Sequence, residues 1–349
     1  MRSTANISWF ADITLADRAM VGGKGGSLGE LTRAKIAVPP GFVVATQGFE
    51  CFFAELDRES SIRRRVQALR LQELEEIRSC SEEVRTRFEK ASLPEDVCAD
   101  IVAAHAELCG PDLNQPLAVR SSATAEDSEA ASFAGMQDTY LWVKGADAIV
   151  KAVRSCWASL YSVPSISYRR KQGVPETGVA IAVVVQKMVD ARSAGVMFTR
   201  SPLTGDRSVI TIEATWGLGS AVVSGEVTPD RFVIAKIAGE ISVREISDKL
   251  IEHVPTESGG IREITTPEEL RRVPSINDEE LRALAEIGRR VERHYGRPQD
   301  IEWAIDRNGE ILLLQSRPET VWSGKNKPPV AKPAESPFLH VMNIFGGRR

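Results

Sequence analysis

Two basic side chains in this sequence stand in settings that suit an anion. Lys24 lies inside the glycine-rich run 22–26, where backbone N–H groups and one ammonium can approach a phosphate together. The run does not match G-x-x-x-x-G-K-[ST], the P-loop pattern, and a surface turn explains the same letters. Arg120 ends an apolar strand and precedes several hydroxyl residues. This also suits an anion, and a pair with Glu126 or Asp127 is the alternative.

Two glycine segments follow that can close over phosphates. Gly135 and Thr139 belong to the run SFAGMQDT at residues 132–139, and a tight turn explains this run equally well. Glu213 ends a predicted strand and precedes the run 216–219, Trp-Gly-Leu-Gly. A lone G-x-G is weak evidence for a nucleotide site, so Glu213 is the weaker candidate.

The most informative cluster lies in two short strands joined by an Asp-Arg-Asn-Gly turn. If these strands pair as a hairpin, Glu302 and Gln315 converge. Two oxygen-bearing side chains suit Mg²⁺, which keeps waters and phosphates as its other ligands. Arg317 would then neutralise a phosphate beside them, and a buried Glu–Arg ion pair is the alternative.

Together the clusters supply a lysine, two arginines, a glutamate, a glutamine and several glycine loops near strand ends. That combination predicts the binding of a polyphosphate with Mg²⁺. We find no serine–histidine or cysteine–histidine motif that would instead indicate nucleophilic catalysis.

Composition narrows the class of protein. The chain has 349 residues, a net charge of −4, 42% hydrophobic and 26% charged residues, which excludes a disordered chain and disfavours nucleic-acid binding through bulk basicity. It has no apolar run long enough to span a membrane and no apolar core of a signal peptide. Five cysteines without C-x-x-C spacing indicate reduced thiols, so we expect a cytoplasmic protein.

The elements that must position these residues can be read from periodicity. We predict a short helix from Ser27 to about residue 35 after the glycine loop, a strand at 42–45 and a helical segment at 47–110. Strands are predicted at 117–123, 179–189, 194–199, 209–214 and 231–235, with helices at 148–160 and 277–295. The closing hairpin occupies 301–305 and 311–315.

These blocks resemble the ATP-binding N-terminal domain of the phosphoenolpyruvate synthase and pyruvate phosphate dikinase family, which also occurs in rifampin phosphotransferase. The matching segments are, in order, 21–30 (VGGKGGSLGE), 38–42 (VPPGF), 119–127 (VRSSATAED), 133–135 (FAG), 195–202 (GVMFTRSP), 216–219 (WGLG), 223–230 (VSGEVTPD), 300–303 (DIEW) and 314–318 (LQSRP).

The resemblance implies an α+β protein with the ATP-grasp fold, in which ATP lies between two lobes. We expect an N-terminal lobe at 1–185 that includes the helical segment 47–110, a C-terminal lobe at 186–322, and a Lys/Pro-rich linker with a short apolar tail at 323–349. Met136 and Ser220 depart from the family pattern, where we expect glutamine and glutamate respectively.

The resemblance also implies a role for each site residue. Lys24 and Arg120 would contact the ATP phosphates, and Gly135 and Thr139 would belong to the loop that covers them. Gln186 lies where the family binds adenine. The remaining members are Glu302 and Gln315 for Mg²⁺, Arg317 for the phosphates being transferred, and Glu213. Catalysis would rest on Lys24, Arg120 and Arg317.

The phosphocarrier histidine of the family, which lies in a Thr-Ser-His or Thr-Cys-His setting, has no counterpart among His105, His253, His294 and His340. We therefore expect an ATP-binding subunit that passes the β,γ-pyrophosphoryl group to a histidine on a partner subunit, giving AMP and phosphate. This layout resembles phenylphosphate synthase, with phenol as the acceptor. The alternatives are a split phosphoenolpyruvate synthase acting on pyruvate, a rifampin-phosphotransferase-like subunit, and a non-catalytic nucleotide-binding module. We expect no nucleic-acid or membrane partner.

Overall fold

Two antiparallel sheets, each backed by helices, organise the chain. The computed structural model describes residues 3–124, 138–320 and 322. Along the sequence, the first sheet ends at Lys187 and the second begins at Ala191. The division into lobes at residue 185 stays a prediction, and the expected tail at 323–349 lies outside the described residues. In the described part of the chain, no helix combines the length and the apolar character that crossing a bilayer requires.

The first sheet has the strand order β1-β2-β5-β3-β4. Its strands are β1 (Ile7–Trp9), β2 (Gly41–Val44), β3 (Leu117–Ala123), β4 (Thr139–Val143) and β5 (Ile181–Lys187). The predicted strands in this half are confirmed, and β5 is buried on both faces as its valine run indicates. The sequence does not predict β1 and β4, because strands of three and five residues show too little periodicity.

Helices cover one face of this sheet. They are α2 (Thr46–Leu56), α3 (Ser61–Ala68), α4 (Leu74–Lys90), α5 (Glu95–Cys109), α6 (Ala146–Ala158) and α7 (Val163–Gln172). The first four confirm the predicted helical segment. Phe52, Phe53 and Phe88 pack against Trp157 and Tyr161 in a buried aromatic cluster. This cluster joins the helices to the sheet and fixes β3 from behind.

The predicted glycine loop is instead part of a helix, so that prediction was wrong. Helix α1 runs from Arg18 to Arg33, with one non-helical residue at Gly22, whose φ is 69°. A Cβ at Gly22 would lie 2.2 Å from the Ser122 carbonyl oxygen, and the Ser122 hydroxyl donates to the Val21 carbonyl at 2.9 Å. Gly22 therefore serves close packing of α1 on β3 rather than an open loop.

The second sheet has the order β13-β12-β6-β7-β8-β9. Its strands are β6 (Ala191–Phe198), β7 (Val209–Trp216), β8 (Asp230–Ala235), β9 (Ile241–Glu245), β12 (Gln299–Asp306) and β13 (Ile311–Pro318). A separate hairpin pairs β10 (Ile251–Pro255) with β11 (Ile261–Thr265), and the helices of this half are α8 (Ser220–Val223), α9 (Glu268–Arg271) and α10 (Asp278–Tyr295). The predicted helix at 277–295 is confirmed, and Asn277 caps it with Glu280 in a capping box.

A fully buried ion pair fastens the segments around this sheet. Lys249 Nζ lies 2.6 Å from Asp230 Oδ1, and both side chains are 0% exposed. Asp230 also accepts hydrogen bonds from the backbone N–H and hydroxyl of Ser275 and from the N–H of Ser247. One carboxylate thus connects the start of β8 with the segments before β10 and α10, and its desolvation is offset only while these donors remain.

Replacing Lys249 by alanine is expected to lower the free energy of unfolding by about 3–5 kcal/mol, because the Asp230 charge then stays buried without its counter-ion. Urea unfolding followed by circular dichroism measures the change. Arg78→Ala, which removes one partner of the exposed Arg78–Glu75 pair, is the matched control and should leave the midpoint in place. A Lys249→Ala midpoint equal to that of the control would show that the buried Lys249–Asp230 pair does not stabilise the fold.

Candidate functional site

A cavity of about 440 Å³ lies between the two sheets. Its walls come from both halves of the chain. The first sheet contributes Ala118, Arg120, Thr139, Leu141, Gln186 and Lys187, and the second half contributes Ala194, Gly195, Leu218, Gly219, Ser220, Val223, Ser224, Ile261, Glu302, Trp303, Ala304 and Leu314, with Met188, Val189 and Ala191 at the connection. A pocket of this size with apolar walls and few polar groups is typical of a small-ligand site.

Arg120 forms the polar centre of this cavity. Its Nη2 donates to Glu302 Oε2 at 2.6 Å and to Gln315 Oε1 at 2.8 Å, and its Nη1 donates to the Leu314 carbonyl at 3.1 Å. The side chains of Arg120 and Glu302 are 12% and 25% exposed. One guanidinium from the first sheet thus bonds the paired strands β12 and β13 of the second. The Glu–Arg pair weighed from the sequence therefore exists, with Arg120 rather than Arg317.

Strand alternation explains why Arg120 faces the cavity. Leu117 and Val119 point into the core beneath the helices, so Ala118 and Arg120 point to the opposite face. Thr139 lies directly across from Arg120 on β4, which places its side chain on the same face. Thr139 thus begins strand β4 beside Arg120 rather than lying within a loop, and its predicted role over the phosphates stays a prediction. Gly135 and the acidic residues at 126 and 127 lie outside the described residues.

Glu302 and Gln315 are direct partners across the β12–β13 hairpin, so the predicted convergence is confirmed. Their carboxylate and amide oxygens both bond the same nitrogen of Arg120, and the two oxygens therefore aim at one point. Such a pair fits a hard cation that keeps phosphate oxygens and waters as further ligands. Arg120 Nη2 holds that point here, so a cation would require the guanidinium to turn toward an anion.

The other end of the cavity suits a planar apolar group. Gln186 is buried, and its Nε2 donates to the Pro39 carbonyl at 3.1 Å. Beyond it the chain leaves the first sheet through Met188 and Val189, which pack with Leu314 and Ile261. Gln186 therefore lies at the connection between the halves, and its place near a base stays a prediction.

Three carboxylates share the cavity-side face of the second sheet. Glu302 and Glu213 each pair with Val196 from opposite sides, and Asp300 lies two residues before Glu302 on the same face. Burial raises the pKa of Asp300, and Arg317 opposes the rise. Burial also raises the pKa of Glu213, Arg231 lowers it, and the Asp300 charge adds to the rise. The cavity-side face of the second sheet therefore concentrates carboxylates, whose negative charge a bound cation would stabilise.

Arg317 and Lys24 are the other two basic residues of the predicted site, and neither is among the residues that line the cavity. Arg317 donates from Nε to Asp300 Oδ2 at 2.8 Å, and its side chain is 43% exposed. Lys24 is half-buried in α1 near Cys156, where its charge opposes the rise that burial causes in the pKa of the thiol. Both lie near the Arg120 end, and their contact with phosphate stays a prediction.

A polar chain that the sequence does not predict lies at the cavity wall. Ser220 Oγ lies 2.8 Å from His253 Nδ1, and His253 Nε2 lies 3.1 Å from Glu226 Oε2. The β10–β11 hairpin places His253 at this wall. The hairpin is bonded to the Trp-Gly-Leu-Gly segment 216–219, because the Leu218 N–H donates to the His253 carbonyl. No local motif signals this contact because 33 residues separate Ser220 from His253.

Fold and site together define a two-lobed nucleotide-binding domain, and comparison with known proteins gives its family. The chain belongs to the family described as pyruvate phosphate dikinase, AMP/ATP-binding domain, whose profile matches residues 18–336. The α+β class and the ATP-grasp fold expected from the sequence are thereby confirmed.

Curated relatives are longer than this chain. It is 40% identical over 329 residues to a probable phosphoenolpyruvate synthase of Methanocaldococcus jannaschii, covering 93% of this chain and 28% of the relative. It is 42% identical over 310 residues to a rifampicin phosphotransferase of a Streptomyces species, covering 88% and 35%. The chain thus spans less than half the length of these proteins.

Solved structures align loosely. The dinucleotide-forming acetyl-coenzyme A synthetase 1 of Ca. Korarchaeum cryptofilum aligns with a TM-score of 0.33 at 10% identity, covering 68% of this chain and 90% of that one.

Arg317→Ala is expected to raise the pKa of Asp300 further, because the variant removes the charge that favours the Asp300 carboxylate. The folded state then holds the proton more tightly than the unfolded chain does. Its free energy of unfolding should therefore fall more steeply than that of the unaltered protein as pH rises above the ordinary aspartate range. A carbon-13 NMR titration of the carboxyl groups measures the pKa directly.

Arg307→Ala is the control for this titration, since Arg307 pairs with Asp190 and acts on Glu252 instead. It should leave the Asp300 titration unchanged. An Asp300 pKa that stays constant or falls in Arg317→Ala would show that the ion pair does not control this carboxyl group.

Proposed function

We propose that this chain is the ATP-binding subunit of a phosphotransferase. It cleaves Mg-ATP and passes the β,γ-pyrophosphoryl group to a histidine on a separate partner subunit. The observation that carries the proposal is the convergence of Arg120, Glu302 and Gln315 in the cavity between the lobes. Membership of an AMP/ATP-binding domain family supports it.

Arg120, Lys24 and Arg317 provide the positive charge for the triphosphate. Arg120 leaves Glu302 and Gln315 to bind phosphate oxygens, which frees both oxygens for Mg²⁺. The bound metal would neutralise charge on the phosphates. Catalysis is then mostly alignment and charge neutralisation, because phosphoryl transfer needs little covalent help from the protein.

The proposed transfer has three steps. A histidine nitrogen attacks the β-phosphorus, a P–N bond forms, and the bond between the α,β-bridging oxygen and the β-phosphorus breaks, so that AMP leaves. Water then attacks the γ-phosphorus, the bond between this phosphorus and the β,γ-bridging oxygen breaks, and phosphate leaves a phosphohistidine behind. The phosphoryl group finally passes to the acceptor.

The position of the histidines supports a partner subunit. His105 is buried in the helical core, where burial lowers its pKa, and His294 lies against Glu30. His253 is held between Ser220 and Glu226. Within the ranges that the structure describes, none of these imidazoles lines the cavity. We therefore propose that the receiving histidine belongs to the partner subunit; the fourth histidine, His340, lies outside the described residues.

For the final acceptor we propose phenol, because the layout proposed above, an ATP-binding subunit with a separate histidine-bearing partner, resembles that of phenylphosphate synthase. Phosphoenolpyruvate synthase and rifampicin phosphotransferase are the names of the relatives, so pyruvate and a rifamycin hydroxyl are the competing acceptors. The acceptor lies on the partner and is decided by adding each compound to the phosphorylated partner.

ATP labelled at the β-phosphate tests the proposal. The chain is mixed with Mg²⁺ and a purified candidate partner that carries the family's phosphocarrier histidine, and acid-labile label on that protein together with AMP is the expected result. Bound ATP without label or AMP would contradict it and would indicate a non-catalytic nucleotide-binding module.

In the same assay, Arg317→Ala should lower the rate of transfer by about 10²–10³-fold while ATP affinity falls less, because its charge acts on the group in transfer. Arg307→Ala alters another exposed arginine next to the same hairpin and should transfer normally. An equal loss of binding and transfer, or a loss of neither, would remove Arg317 from the reaction.

Glu302→Gln should raise the Mg²⁺ concentration needed for half-maximal transfer by about tenfold, because an amide is a weaker ligand for a hard cation than a carboxylate. A Mg²⁺ titration of the transfer rate measures this shift. Glu310→Gln, in the exposed turn between β12 and β13, is the control. Identical titration curves for the two variants would exclude Glu302 as a metal ligand.

A further inference from the structure

The nucleotide cavity has two ends that suit different parts of a nucleotide. Arg120, with Glu302 and Gln315, forms the charged end. Gln186, Met188 and Val189 form the end toward the connection between the halves. Because a nucleotide runs from base through sugar to phosphates, the sugar has to cross the middle of the cavity. The middle is therefore where a sugar-recognising group belongs.

The glycine loop before α8 forms the wall of that middle region. A Cβ at Gly219 would lie 3.3 Å from the Ala194 Cβ, and Ala194 pairs with Ala304, two residues from Glu302. Two residues along a strand span about 7 Å, which is the scale of a sugar. Ser220, the next residue of this wall, lines the cavity. Its neighbour Gly219 thus lies against the strand position beside Ala304, two residues from Glu302 at the charged end.

The hydroxyl of Ser220 is held by a polar chain behind it. If His253 donates its Nε2–H to Glu226, its Nδ1 accepts the hydroxyl proton of Ser220. Glu263 lies opposite His253 on β11, and ligand atoms of Glu226, His253 and Glu263 lie within 4.8 Å of one another. The lone pairs of Ser220 Oγ are then the groups left to face the cavity, and they can accept a hydrogen bond from a ligand hydroxyl.

We propose that Ser220, oriented by His253 and Glu226, recognises the ribose of the bound nucleotide by accepting a hydrogen bond from a sugar hydroxyl. This inference rests on the proposed ATP-binding function. It also gives a role to Ser220 at the position where the family pattern led us to expect glutamate. Ser220 is the binding residue, and His253 is a positioning residue.

The test compares the affinities of ATP, 2′-deoxy-ATP, 3′-deoxy-ATP and 2′-fluoro-2′-deoxy-ATP by isothermal titration calorimetry. The unaltered chain should bind ATP about five- to tenfold more tightly than at least one deoxy analogue, the value of one hydrogen bond. If the 2′-hydroxyl is the donor, the fluoro analogue should bind like the 2′-deoxy one, because fluorine cannot donate. Ser220→Ala should bind ATP and that analogue equally.

Two further variants separate recognition from structure. Ser242→Ala removes a hydroxyl outside the cavity, one that donates to the Val233 carbonyl, and should keep the discrimination. His253→Ala should lose it, whereas His253→Asn, which retains a hydrogen-bonding atom near the place of Nδ1, should restore part of it. A merely structural histidine would change all affinities together and leave their ratio constant.

Equal affinities of ATP and both deoxy analogues for the unaltered chain, or unchanged discrimination in Ser220→Ala, would overturn this inference and leave the proposed function intact. Absence of ATP binding to the unaltered chain would overturn the proposed function and this inference with it.

Discussion

One guanidinium joins the halves of the site. Arg120 extends from a strand of the first sheet and bonds Glu302, Gln315 and the Leu314 carbonyl in the second. This contact can be exchanged, because the same oxygens suit a metal ion and the same guanidinium suits a phosphate. A bound Mg-polyphosphate would supply both partners at once, the metal for the Glu302 and Gln315 oxygens and the phosphate for the Arg120 guanidinium. The interaction that joins the lobes is thus also a stand-in for the ligand that we propose between them.

The rest of the fold serves to keep both partners of this contact in place. Helices and an aromatic cluster hold β3 from one side, and α1 is packed so closely on its end that Gly22 has no room for a side chain. In the second sheet, the core lies on the face of Trp303, so Glu302 is turned to the cavity. The carboxylates gathered there are costly alone, which is why burial raises the pKa of Asp300 and Glu213.

Much of this arrangement follows from sequence pattern. The long strands, the capped helix α10 and the hairpin that pairs Glu302 with Gln315 are local and strongly periodic, so the sequence predicts them. The prediction of a loop around Lys24 was wrong, because glycines required for close helix packing resemble those of a phosphate loop. The Arg120–Glu302 and Ser220–His253 contacts join distant segments, and they depend on how the sheets and the β10–β11 hairpin pack. Pattern within a segment contains no information on that packing.

The central claim is that Arg120 exchanges its protein partners for a nucleotide and its metal. A crystal structure with Mg²⁺ and a non-hydrolysable ATP analogue tests it directly. The account predicts the triphosphate on the Arg120 guanidinium and the metal between Glu302 and Gln315. An analogue bound elsewhere, with the Arg120–Glu302 pair intact, would contradict it.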